Sequence, residues 1–339
     1  MVCRGGGGTL ERYDHATIER LIEELMMRIA VFGGGGVGGY FGGRLALAGK
    51  GVTFIARGEQ LRALQMTGLK VESIGGDFLI HPVKATSEPA EVGLVDLVVL
   101  AVKAWQVPEA ARAMKPMVGP ATTVLPLQNG VDAASQLAAE LGYRPVIGGL
   151  CKIVSFVVEP GHIRHAGFEP SVTFGELDNR RTERLERIHE AFTNAGVNAV
   201  ITSDIQVALW TKFLFIAAFS GVGALRRNPA GELRSDPETR RLILQAMEEI
   251  YALAHARGIA LPEDSVAKAI ASVDSLPADA TSSMQRDIAA GKPSELEAQN
   301  GAVVRMARES HVAAPIHDFI YEALKPLEMK ARGELSKGA

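Results

Sequence analysis

Gly33-Gly34-Gly35-Gly36-Val37-Gly38 stands between a short apolar run and a helical one. This is G-x-G-x-x-G in the setting where it carries meaning: the first glycine makes a tight turn after a strand, the middle one admits a pyrophosphate to the backbone, and amides at the helix start receive it. Gly34, Gly36 and Gly39 fit a second register, and a glycine-rich loop without a ligand is the bland alternative. The first register is preferred because Gly33 follows the strand at once. Arg57 ends the next strand, near the place where an acid holds the ribose hydroxyls of NAD. An arginine there predicts a 2′-phosphate and hence NADP, because its fork donates paired charge-assisted hydrogen bonds. Glu59 nearby weighs the other way, and a solvated surface arginine is the plain alternative. Lys103 and Asn129 each follow an apolar run that reads as a central strand, which puts both at the carboxyl edge of a parallel sheet, where open α/β folds bind ligands. Taken alone, a solvated helix start explains Lys103 equally well, and Asn129-Gly130 is an ordinary turn.

These residues need a β-α-β frame. Residues 28–32 read as a strand, followed by a helix to about 48, a Gly49 stop and a strand at 52–56. Residues 69–74 and 78–83 flank Gly75-Gly76-Asp77 as a hairpin. The runs 94–102 and 122–127 read as strands covered on both faces, so the sheet is expected to keep growing, with further strands at 146–158 and 171–175 and a helix at 180–195. From Ser203 to Arg332 only helical periodicity remains, broken by Asn228-Pro229, Asp236-Pro237, Leu261-Pro262, Lys292-Pro293 and Ala314-Pro315. The expected architecture is an α/β, Rossmann-type dinucleotide-binding domain at 27–202, followed by an all-helical C-terminal domain at 203–332, with a cleft between them. Residues 1–26 are set apart as an N-terminal extension, disordered or non-native, with Met27 as a candidate start of the folded unit.

At 339 residues the chain is long enough for about two domains. Its charge balance, 36 basic against 39 acidic residues for a net of −3, argues against nucleic acid and anionic membrane as partners, so an anionic small molecule must be held locally. Two cysteines, Cys3 and Cys151, make neither a disulfide framework nor a four-ligand zinc site; no metal is expected, and a reducing, cytoplasmic setting is. The apolar run 213–225 is interrupted by Ser220 and glycines and falls short of the roughly 18 residues of a membrane span, so it reads as a buried helix. The helical domain is apolar enough to support a homodimer.

Ala101-Val102-Lys103-Ala104-Trp105-Gln106 and Gln128-Asn129-Gly130 are joined, in order, by Ala208-Leu209-Trp210-Thr211-Lys212, Gly231-Glu232-Leu233-Arg234, Ser282-Ser283-Met284-Gln285-Arg286-Asp287 and Gly291-Lys292-Pro293-Ser294-Glu295-Leu296. In these motifs the chain resembles the ketopantoate reductase family, NADPH-dependent 2-dehydropantoate 2-reductases, over about residues 27–332. The resemblance implies that Lys103 and Asn129 meet the cofactor and the substrate end of the cleft, that Lys212 is the catalytic general acid, that Glu295 is an acid near nicotinamide and substrate, and that Ser283 binds substrate. Phe213-Leu214-Phe215-Ile216 follow Lys212 without a polar face, so partial desolvation should lower its pKa and make it a competent donor to a carbonyl oxygen. Ser294-Glu295-Leu296-Glu297 also reads as a capping box, which explains Glu297 in full and Glu295 in part. Ser283, before a helical run, is otherwise a cap.

Three asparagines that the resemblance implies for substrate binding fall at Ile216, Ser220 and Ala230, where none is kept. Ile216 and Ser220 share a helix face with Lys212. Asn228 compensates if the turn shifts. The implied activity is reduction of a 2-oxo acid to a 2-hydroxy acid, by default 2-dehydropantoate to pantoate in pantothenate biosynthesis. A different small 2-oxo acid is the alternative. A non-catalytic NADP-binding regulatory protein would have no need of Lys212 and Glu295, and a β-hydroxyacid dehydrogenase fits the lysine and the Gln-Asn-Gly context poorly.

Overall fold

The computed structural model describes residues 26–335, so the expected extension lies, up to residue 25, outside the described residues. Strand β1 (Arg28–Phe32) leads through the glycine turn into helix α1 (Gly36–Leu47) and strand β2 (Gly51–Ile55). After α2 (Gly58–Met66), the hairpin expected around Gly75-Gly76 forms as antiparallel β3 (Leu69–Ser73) and β4 (Phe78–Ile80). The chain returns through β5 (Lys84–Thr86), β6 (Leu97–Leu100), α3 (Val107–Ala113) and β7 (Thr123–Pro126). A wholly parallel sheet results, in the order β5-β2-β1-β6-β7. All four residues of β6 are buried, as a central strand covered on both faces requires.

The parallel sheet grows past the first unit through β6 and β7, as expected, and the later strands form a second sheet. Helix α4 (Ala133–Leu141) is followed by two long antiparallel strands, β8 (Gly148–Glu159) and β9 (His162–Gly175), then α5 (Glu183–Asn194) and β10 (Asn198–Ile201). These build a second sheet, β10-β9-β3-β4 with β8 on β9, which takes in the hairpin. Helix α1 lies between the sheets, and its glycines make this possible. A Cβ on Gly42 would come within 2.6 Å of Phe54 in the first sheet, and one on Gly43 within 2.8 Å of Phe78 in the second.

Among the described residues, every element from Ile205 onward is helical. Asp204 caps α6 (Ile205–Arg226) by accepting the Val207 N–H at 3.0 Å. By length and hydropathy α6 could cross a membrane, but 67% of its apolar window is buried inside the protein, in the core of the helical half. Around it stand α7 (Ala230–Ser235), α8 (Pro237–Ala256), α9 (Ser265–Ser275), α10 (Ser283–Ala289), α11 (Ala302–Glu309) and α12 (Pro315–Ala331). Pro229, Pro237 and Pro315 sit at helix starts, where a missing N–H costs nothing.

Candidate active site

A cleft of about 800 Å³ runs along the carboxyl edge of the parallel sheet, with α10 and the segment after it as its far wall. Its floor is the glycine turn. Gly33 has φ +107°, and a Cβ there would come within 2.9 Å of the Ala101 carbonyl, so only glycine makes this turn. A Cβ on Gly38 would lie 1.9 Å from the Gly33 carbonyl oxygen, whereas one on Gly35 would meet nothing within 4 Å and would project into open space. These are the three needs of the first register. Helix α1 starts with no side-chain cap and no acid in its first turn, which leaves the amides beside Gly36 and Val37 to an external acceptor. A bare backbone opposite uncapped amides fits a dinucleotide pyrophosphate.

Arg57, at the mouth, donates from Nη1 to Glu109 Oε1 at 3.0 Å, and both side chains are more than half exposed. Lys103 pairs with Asp287 of α10, Nζ to Oδ2 at 2.7 Å, which ties the sheet edge to the helical wall. Farther in, Glu295 is buried, and its two oxygens accept the Ala104 N–H and Asn129 Nδ2, each at 3.1 Å. Lys103, Asn129 and Glu295, far apart in sequence, thus line one cleft.

Lys212, in the second turn of α6, does not line that cleft directly. Its ammonium donates to the Cys151 carbonyl at 2.7 Å, and the Cys151 thiol reaches the carbonyl of the cleft residue Leu127 at 3.5 Å. Burial holds the Lys212 ammonium below the usual lysine range, with the Cys151 thiol and the Glu295 carboxylate acting in the opposite sense. Burial also pushes the Cys151 thiol up.

Ser283 lines the cleft. The cap of α10 is its neighbour Ser282, whose hydroxyl accepts the Gln285 N–H at 3.1 Å. The capping box expected at Ser294-Glu297 does not form. Ser294 is sealed inside and gives its hydroxyl to Glu328, and Glu297 accepts the Tyr321 hydroxyl at the edge of a π-turn (Glu297–Gly301). Ile216, Ser220 and Ala230 are not among the cleft residues. Ile216 is half-buried, Ser220 is fully buried with its hydroxyl unpartnered, and Ala230 is fully buried with its N–H on the Ala280 carbonyl. Asn228 gives its amide to Glu232 and so does not face the cleft in their place. Sequence reasoning passed over Gln128, whose amide clamps the Leu100 and Val102 carbonyls at 2.9 and 3.0 Å and so shapes the strand end that carries Lys103. The motif was visible there, but its partners were not.

A parallel sheet with a glycine cradle at its carboxyl edge, faced by a carboxylate and backed by a desolvated lysine, defines a dinucleotide-dependent dehydrogenase. Two family descriptions match in order, ketopantoate reductase PanE/ApbA over residues 29–179 and its C-terminal part over 204–328. An uncharacterized oxidoreductase of Bacillus subtilis is 31% identical over 89% of this chain and 99% of its own. A 2-dehydropantoate 2-reductase of Nostoc sp. is 31% identical over 91% and 98%. The crystal structure of 2-dehydropantoate 2-reductase from Geobacter metallireducens superposes with a TM-score of 0.84 at 31% identity, covering 88% of this chain and 99% of that one. The chain belongs to the ketopantoate reductase family and is an oxidoreductase that uses a nicotinamide dinucleotide.

Proposed function

We propose that the protein reduces a 2-oxo acid to the 2-hydroxy acid with NADPH, and that 2-dehydropantoate, the substrate in the names of its relatives, is the first to test. The observation that carries the reading is a buried carboxylate, Glu295, joined to Asn129 in the cleft and acting on the charge of the desolvated Lys212, which is held on the Cys151 carbonyl. The amides at Gly36 and Val37 would hold the pyrophosphate, Arg57 the 2′-phosphate, and Lys103 the phosphate charge along the sheet edge. The nicotinamide supplies a hydride when bound. Although Lys212 is not a lining residue of the cleft, it has three N–H bonds and spends one on Cys151, so others remain for a substrate carbonyl oxygen that reaches in past Leu127 and Glu295. As negative charge builds on that oxygen, the ammonium stabilises it and delivers a proton, leaving the hydroxy acid and a neutral lysine that recovers its proton from water. Asn129, Glu295 and Ser283 orient the substrate.

A second reading, a 2-oxo acid with a hydrocarbon side chain, is favoured because, among the described residues, neither α6 nor α7 contributes a polar side chain to the cleft lining. A substrate hydroxyl left without a partner costs its desolvation. The experiment is a panel of 2-oxo acids, with and without a side-chain hydroxyl, assayed for loss of NADPH and of NADH. Turnover of one of them with NADPH preferred is the expected result; binding of NADPH without turnover of any would refute the reading.

A further inference from the structure

Glu295 stands in irregular backbone, since α10 ends at Ala289 and the π-turn begins at Glu297. Its neighbour Ser294 is fully buried, so its N–H, carbonyl and hydroxyl have neither water nor a helix ladder to bond. Glu328 of α12 and Arg332, the residue just past its end, take all three. The two oxygens of Glu328 each lie 3.0 Å from the Ser294 nitrogen, and Oε2 also accepts the hydroxyl at 2.6 Å. Arg332 donates from Nη2 to the Ser294 carbonyl at 3.2 Å and from Nε to Glu328 Oε1 at 2.7 Å. Glu328 is itself buried, and Arg332, one turn further on, balances its charge.

The same guanidinium lies 4.6 Å from the ring centre of Trp105, which follows Ala104, the residue whose N–H holds Glu295 Oε1. Packing alone does not immobilise this segment. A second cavity of about 140 Å³ borders Trp105, Ser294, Glu295 and Arg332, so the segment has room to shift and the hydrogen bonds must hold it.

We infer that Glu328, with Arg332, is a positioning residue for the reaction: it fixes the backbone at Ser294 so that the Glu295 carboxylate stays on Ala104 and Asn129. This rests on the proposed role of Glu295 at the reacting end of the cleft. A displacement of about 1 Å at a reacting group can cost on the order of 10²-fold in rate.

The test measures steady-state kinetics of the full-length protein with NADPH and the 2-oxo acid it turns over best, in Glu328→Gln, Glu295→Gln and the double variant, together with dinucleotide affinity by tryptophan fluorescence. Glutamine at 328 turns an amine toward the Ser294 donors. Glu328→Gln should lower kcat by about 10- to 100-fold with dinucleotide affinity unchanged, and should add nothing in the Glu295→Gln background, as for two groups that act as one unit. Ser294→Ala removes the two bonds of the hydroxyl, to Glu328 and from the Leu296 N–H, and keeps the buried charge. Should Glu328→Gln not fold, Ser294→Ala should give a smaller fall in kcat that likewise vanishes in the Glu295→Gln background. Full activity in the position-328 or position-294 variants while Glu295→Gln is crippled, or an equal loss in both backgrounds, overturns the inference alone. Full activity of Glu295→Gln overturns the role of Glu295, and the inference with it.

Discussion

On the proposed reading coenzyme choice turns on Arg57, which is bonded to Glu109 at 3.0 Å, the two side chains being 66% and 57% exposed. A pair so open to water contributes at most about 1 kcal/mol to folding, so its removal should leave the fold intact and let kinetics report on the coenzyme. A hydrogen bond to a charged group is worth about 1.5 to 3 kcal/mol, and solvent screening puts an exposed arginine at the low end of that range. At about 1.4 kcal/mol per decade, Arg57→Ala should raise KM for NADPH by roughly 10-fold and leave that for NADH unchanged. Glu109 has the opposite sign: it competes with a 2′-phosphate for the guanidinium and repels the phosphate itself. Two like charges about 4 Å apart in water differ by about 1 kcal/mol, so Glu109→Gln should lower KM for NADPH by roughly 3- to 5-fold, again without effect on NADH. The assay compares KM for both coenzymes at saturating 2-oxo acid and at low and high salt, where screening should shrink the NADPH advantage. Equal losses for both coenzymes in Arg57→Ala, or weaker NADPH binding in Glu109→Gln, would refute the reasoning.

Lys212→Ala should depress kcat by about 10²- to 10⁴-fold while dinucleotide affinity holds, and Lys212→Arg should not rescue it, since a guanidinium does not release its proton at usable pH; an active arginine variant would remove the proton-donor role. On the proposed mechanism the protonated lysine is the active form, so the rate of reduction should fall as pH rises through a value below the ordinary 10.5, read from the alkaline limb of the pH–rate profile, and a limb at or above 10.5 would contradict burial as the cause. The same shift has a stability sign: between the lowered folded value and 10.5 the unfolded chain binds more protons, so stability from this group rises with pH, a rise that Lys212→Met should abolish in urea titrations. Gly38→Ala puts a methyl 1.9 Å from the Gly33 carbonyl oxygen, so the turn must move and dinucleotide binding, followed by fluorescence, should be lost.

What the sequence made legible is what local chemistry determines. The glycine turn, Arg57, Lys103 and Asn129 could be placed because each lies within three residues of a strand end, and strand-turn-helix order is written in neighbouring residues. The apolar run after Lys212 likewise announced its desolvation. The second sheet was not legible, because β3 pairs in parallel with β9 from Lys70↔His162 to Ser73↔His165, across a separation that no periodicity encodes. The hairpin was read correctly and its sheet was not. Ser294-Glu297 failed for a related reason: the capping box is a pattern of residue types, whereas Ser294 is claimed by Glu328, 34 residues on, and its burial has no signature in the four letters. The Lys103–Asp287 pair, 184 residues apart, belongs to the same class.

The anchors of the site bear on how its substrate could change while its chemistry stayed. Glu295 is held by a main-chain N–H, that of Ala104, as well as by Asn129, and Lys212 is held by a main-chain carbonyl, that of Cys151. Main-chain groups persist whatever side chains surround them. The residues that depart from the family's pattern, Ile216, Ser220 and Ala230, make none of these contacts. Their side chains can therefore change without moving Glu295 or Lys212. On the proposed reading, main-chain anchors that none of these three side chains supplies fix Glu295 and Lys212, so substitution among the three need not be compensated there.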